Sequence, residues 1–214
     1  MIYLDHAATT PLPRPVADAM YQVLTEEFGN PSAQYALGRT MAERVAAWRK
    51  TVADALDCPP EALCFTSCGT EGDNWAIQAA LWQNRRVGKH IVTTAVEHSA
   101  ILQPCQWLTQ QGYEVTYVAP DSKGNIPAER ILAAVRPDTA LVSVMLVNNE
   151  LGSVLPVAEA VKAVRRSGAP ALFHCDAVQG FLKLPFTPAK LGVDLLSVSG
   201  HKIHAPKGIG GLYV

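Results

Sequence analysis

Seven short apolar runs punctuate this chain, at 62–67 (ALCFTS), 89–96 (KHIVTTAV), 113–119 (YEVTYVA), 139–147 (TALVSVMLV), 170–176 (PALFHCD), 193–199 (VDLLSVS) and 208–214 (GIGGLYV). Their length and β-branched content predict strands. Between most of them the apolar positions recur at helical spacing, in TEGDNWAIQAALWQNRR, HSAILQPCQWLTQQG, PAERILAAV and VAEAVKAVRRSG, and several of these segments close on glycine. Such alternation predicts an α/β fold with a mostly parallel sheet covered by helices. The fourth and fifth runs are apolar almost throughout, as strands buried on both faces are. The link GHKIHAPK between the sixth and seventh runs is too short for a crossover helix, so the last strand is expected to run antiparallel and the sheet to be mixed. Two helices, around 15–27 and 38–57, precede the first strand, separated by the loop-forming segment FGNPSAQYALG. The expected organisation is an N-terminal arm over 1–15 and one large domain over 16–214.

Composition narrows the function. With 214 residues, 49% hydrophobic and 17% charged, the chain can bury a full core. A net charge of −1 and a pI near 6.6 give no basic footprint, so neither nucleic acid nor an anionic membrane is an expected partner. The start MIYLDHAATT does not resemble a signal peptide and no apolar run reaches membrane-spanning length, which leads to a cytoplasmic expectation. Five cysteines (Cys58, Cys64, Cys68, Cys105 and Cys175) form an odd set without a CxxC pair, which argues against disulfides and against a metal site.

Chemistry is expected at the carboxyl ends of the strands, where loops converge. After the first strand, SCGTEGDN offers Gly69, Thr70 and a helix N-terminus, which reads either as a phosphate cradle or as a plain helix cap. Asp176 closes the fifth run with Gln179 three residues on; a carboxylate so placed either meets a cation or forms a structural cap. His98 follows the second run and either faces a planar ring or solvates a helix start. Asn149, in NNELG after the fourth run, reads as a donor to a phenolate or as a turn former. Lys202, behind Ser199, Gly200 and His201, is either a surface lysine or an anchor for an aldehyde. Together these groups match pyridoxal phosphate, whose phosphate wants a helix N-terminus, whose pyridinium wants a carboxylate and whose aldehyde wants an amine.

The segments YLDHAATTP, FGNPSA, FTSCGTEGDN, TTAVEHSAIL, VSVMLVNNELG, HCDAVQG and SVSGHKIHAPKGIGGLYV resemble, in this order, the cysteine desulfurases of the NifS/IscS group within the class V aminotransferase family. The resemblance implies the large domain of a fold type I pyridoxal phosphate enzyme, with a seven-stranded, mostly parallel mixed sheet. It implies that Lys202 is the Schiff-base lysine and that Asp176 partners the pyridine nitrogen. Gly69, Thr70, Ser199 and His201 would hold the phosphate, Asn149 and Gln179 would face the ring oxygen, and His98 would stack on the ring and assist proton transfer. It implies conversion of L-cysteine to L-alanine with sulfur passing to an enzyme cysteine, a homodimer, sulfur-acceptor proteins and a place in iron–sulfur cluster assembly. This chain departs from the family at Cys68 and Gly69 in place of Gly-Ala, at Val178 in place of Thr, and at Tyr35 in place of His.

Members of the family are longer. Their nucleophilic cysteine, a substrate-binding arginine and a phosphate-binding threonine follow the last strand. The resemblance therefore implies a portion without the C-terminal small domain, able to bind the cofactor and unable to turn over cysteine alone. No cysteine here matches the family nucleophile: Cys64 and Cys175 fall in strands, Cys105 in a helix, and Cys68 at a helix start is the one to watch. Alternatives are a non-catalytic cofactor-binding module, half of a split enzyme, or a related lyase or aminotransferase.

Overall fold

A computed structural model of the chain describes residues 2–214. Each apolar run forms a strand: β1 (Leu63–Thr66), β2 (His90–Thr94), β3 (Glu114–Val118), β4 (Thr139–Ser143), β5 (Leu172–Asp176), β6 (Leu195–Ser199) and β7 (Gly210–Tyr213). They make one sheet in the order β1-β7-β6-β5-β4-β2-β3. β7 runs antiparallel to both β1 and β6, and the other pairs are parallel. The fourth run is shorter as a strand than expected: pairing with β2 ends at Ser143, and Met145 N turns to the Glu97 carboxylate. Val144 N and Leu146 N still donate to the His174 and Asp176 carbonyls of β5, at 3.1 and 2.8 Å, before a turn whose arms meet at a bridge between Val147 and Val154.

Among the described residues the helices are α1 (Arg14–Thr25), α2 (Ala36–Leu56), α3 (Gly69–Gln83), α4 (Ser99–Gln110), α5 (Ala128–Ala134), α6 (Val157–Arg166) and the short α7 (Pro188–Leu191). α7 was not expected; Thr187 caps it through Lys190 N and Pro188 starts it. Successive strand residues point to opposite faces, and the core divides accordingly. Ile91, Leu141 and Leu195 pack with Ala76, Ile77 and Ala80 of α3 and Ile101, Cys105 and Leu108 of α4. Their neighbours Val92, Val142 and Leu196 pack on the other face with Ala53, Ile131, Val161 and Val164 from α2, α5 and α6.

α3 and α4 are locked together by a polar detail. Pro104 lies inside α4 and cannot donate to the carbonyl of Ala100, four residues back. Asn74 Nδ2 of α3 donates to that oxygen at 3.2 Å instead. α1, by contrast, has no buried residue, although Tyr21, Leu24 and the following Phe28 are large and apolar.

Candidate active site

The carboxyl ends of β1, β2, β4, β5 and β6 open on one cavity of about 460 Å³. Gly69, Thr70, His98, Asn149, Asp176, Gln179, Ser199, His201 and Lys202, all expected from the sequence, line it together. Each arrives there for a local reason. α3 begins at Gly69, where Cys68 Sγ accepts from Glu71 N at 3.5 Å and the Glu71 carboxylate returns to Ser67 N, so the helix start is capped from both sides. A Cβ on Gly69 would lie 2.7 Å from Val178 Cγ2, so with valine at 178 the glycine lets the helix start pack against the β5 loop without displacing that side chain. The first N–H groups of α3 have no acceptors within the helix and can receive an anion.

His98 caps α4: its Nδ1 accepts from Ala100 N at 3.1 Å, which places the proton of a neutral ring on Nε2. The two readings of NNELG separate onto its two asparagines. Asn148 builds the turn, accepting from Glu150 N and Leu151 N, while Asn149 lines the cavity and donates to Glu150 Oε1 at 2.7 Å. Gln179 donates through Nε2 to the carbonyl of Ala7 at 2.8 Å. Lys202 Nζ donates to the carbonyls of Ala7 and Ala8, at 2.5 and 2.9 Å.

These carbonyls belong to the N-terminal arm. Thr10, buried, donates through N and Oγ1 to His201 O at 2.8 and 2.7 Å and accepts from His204 N at 2.7 Å. Asp5, Ala7 and Ala8 thereby form part of the cavity wall.

The floor of the site is acidic and buried. Asp176 is buried, its Oδ1 accepting from Val178 N at 2.9 Å. Burial raises its carboxyl above the ordinary range, against this hydrogen bond and the nearby His98 and Lys202. Asp73, in the inward stripe of α3, is raised well above the ordinary range by burial and by Asp176. Its Oδ1 has no hydrogen-bond partner among the described residues, and neither has Ser199 Oγ. His174 lies 3.6 Å from Asp73 but is pushed down to about 3 by burial, so it is neutral and does not balance the carboxyl. Glu97 is raised to about 8 by burial, although Thr94 Oγ1 and Met145 N donate to its Oε1 at 2.6 and 2.9 Å.

Sequence reasoning missed Asp73, Glu97 and the part that the expected N-terminal arm plays in the cavity wall. A signal existed for Asp73, since an acid in the register of the buried positions Gly69, Gly72, Ala76 and Ala80 interrupts an apolar stripe. The thiols fall as expected: Cys64 and Cys175 are in strands, Cys105 is in α4, and Cys68 lines the cavity. Burial pushes Cys105 up to about 12 and raises Cys175 as well, which keeps both in the unreactive thiol form.

A parallel-dominated sheet with a lysine, a carboxylate and a helix N-terminus converging at its carboxyl edge defines the large domain of a fold type I pyridoxal phosphate protein. The chain belongs to the aminotransferase class-V family, whose sequence model matches residues 2–214. It is 44% identical over 213 residues to the cysteine desulfurase IscS of Methanosarcina thermophila, covering all of this chain and 52% of that one. Among solved structures, a NifS-like protein superposes with a TM-score of 0.95 at 37% identity, covering all of this chain and 58% of that one. SspA in complex with cysteine superposes with a TM-score of 0.94 at 35% identity, covering all of this chain and 61% of that one. The chain spans about half the length of the curated relatives it matches.

Proposed function

We propose that this chain carries the cofactor-binding half of a pyridoxal phosphate-dependent cysteine desulfurase, acting on L-cysteine. The single observation that carries the reading is the convergence of Lys202, Asp176, Ser199 and the α3 N-terminus on one cavity. The residues fit the cofactor. The buried Ser199 hydroxyl lacks a partner and sits where the α3 N–H groups receive an anion, and the Asp176 carboxylate is buried at a cost that a protonated ring nitrogen offsets. When bound, pyridoxal phosphate supplies an aldehyde for a lysine amine and a ring that withdraws electrons from the substrate Cα.

The chain's own residues divide the remaining work. Gly69, Thr70, Ser199 and His201 would hold the phosphate, and Asp176 would keep the ring nitrogen protonated. Asn149 and Gln179, whose amides now donate to Glu150 and Ala7, would serve the ring oxygen. His98, with its proton on Nε2, would stack on the ring and assist proton transfer. The buried Cys105 and Cys175 are held as unreactive thiols, so neither supplies the sulfur-accepting thiol. L-cysteine as substrate is supported by the naming of the relatives and by the cysteine complex of SspA.

Incubation with pyridoxal phosphate, borohydride reduction and peptide mass mapping test the assignment. The adduct is expected on Lys202; an adduct on Lys207, or none, would count against it. The proposal extends to a homodimer serving sulfur-acceptor proteins. The uncovered α1 and the exposed Tyr21, Leu24 and Phe28 support self-association. Sedimentation is expected to show a dimer or larger species, and a clean monomer at high concentration would remove this part of the reading.

A further inference from the structure

Beside the cofactor cavity lies a second, wider depression of about 770 Å³, and Lys202, Gln179 and Asn149 line both. Lys183 opens on this second depression. It follows Leu182, a non-glycine residue held at a φ of 58°, a conformation that costs on the order of 1 kcal/mol and is seldom kept without a purpose. Lys183 Nζ donates to Gln179 Oε1 at 3.1 Å, and Gln179 Nε2 donates to Ala7 O at 2.8 Å. Lys202 Nζ donates to that same Ala7 carbonyl at 2.5 Å. Two lysine amines are thus tied to opposite ends of one amide–carbonyl bridge.

We propose that Lys183 is a positioning residue for Lys202: its ammonium, fixed by Gln179, keeps the Lys202 amine in the unprotonated form that can attack a carbonyl carbon. The inference rests on reading Lys202 as the cofactor lysine. Charged and titratable groups from several elements share the cavities that Lys202 lines: Asp5 and His6 from the arm, Asp73 from α3, His98 at the cap of α4, Glu150 from the Asn148 turn, Asp176 from β5, and His201 and His204 from its own loop. Burial lowers Lys202 below the ordinary lysine range and Lys183 lowers it further, against Asp5 and Asp176. Lys183 is lowered by burial alone. The cationic neighbour thus acts on Lys202 in the same direction as burial.

Competitive labelling of the cofactor-free chain with acetic anhydride, from neutral to alkaline pH, reads the protonation of Lys202 directly by mass mapping against a free lysine standard. K183M is expected to raise the midpoint of Lys202 by at least about half a pH unit, a loss of about threefold in its reactivity at neutral pH. K183E moves it further in the same direction, and K183R leaves it at the wild-type position. An unmoved Lys202 in K183M, or K183R moving as far as K183M, overturns the proposal. Adding pyridoxal phosphate to the same preparations separates this inference from the reading beneath it. A Lys202 that responds to Lys183 without any visible chromophore upholds the coupling and removes the cofactor reading. A normal chromophore with Lys202 indifferent to Lys183 removes the coupling alone.

Discussion

The Asp176→Asn chain is expected to bind pyridoxal phosphate at least about a hundredfold more weakly, while unfolding at a higher temperature in cofactor-free solution at neutral pH. The first effect follows from leaving a buried cation without its anion, which costs roughly 3–5 kcal/mol. The second has the opposite sign because burial raises the Asp176 carboxyl in the folded chain. A carboxyl raised on folding binds its proton more tightly in the folded state. The wild type therefore loses stability as pH rises from the ordinary carboxylate range toward the folded value, and asparagine escapes that loss. Asparagine can still accept from Val178 N, so the local turn is kept. Absorbance titration with the cofactor and calorimetry of the unloaded chain measure the two effects. Unchanged affinity would contradict the pairing with the ring nitrogen, and a lower unfolding temperature at neutral pH would contradict the cost of the buried acid.

Glu97→Gln is expected to be nearly silent in mildly acidic solution and strongly stabilising in alkaline solution. Glu97 rises from 4.5 to about 8 on folding, chiefly through burial. Wild-type stability therefore falls across that interval by roughly 4–5 kcal/mol, an upper bound, whereas a glutamine of the same shape does not titrate. Glutamine Oε1 can keep the bonds from Thr94 Oγ1 and Met145 N that tie the His98 loop to the segment after β4. The difference in unfolding free energy between the two chains, followed against pH in denaturant, should open above the ordinary glutamate range and level off above about 8. A constant difference at all pH values would mean that Glu97 titrates alike in both states.

Most of the fold could be read because its strands are short apolar runs separated by amphipathic helices, and the antiparallel β7 because GHKIHAPK leaves no room for a crossover. The fourth run was read too long as a strand, since apolar character continues through Val147 where only the β5 side is still bonded, through Val144 N and Leu146 N, and the pairing with β2 has ended. The four residues of α7 are too few to show a period, so only Thr187 and Pro188 marked it. The site was legible wherever a polar residue ends an apolar strand, as at Asp176 and Ser199. It was not legible where the group is supplied by backbone, as with the carbonyls of Ala7 and Ala8, or where a charge comes from a surface segment, as with Lys183. Such contributions depend on a distant part of the chain arriving at the right place, and local pattern does not encode that.

The hydrogen bonds between Thr10 and His201 join residues 191 positions apart. Contacts of such high order form only after the intervening sheet has brought the two ends of the domain together, so the pocket around Lys202 is completed late in folding, after its own floor. The same few bonds also define a small unit that can detach by itself. A local opening of the arm, with all seven strands still paired, would withdraw the Ala7 and Ala8 carbonyls and release the Lys202 amine without unfolding the domain.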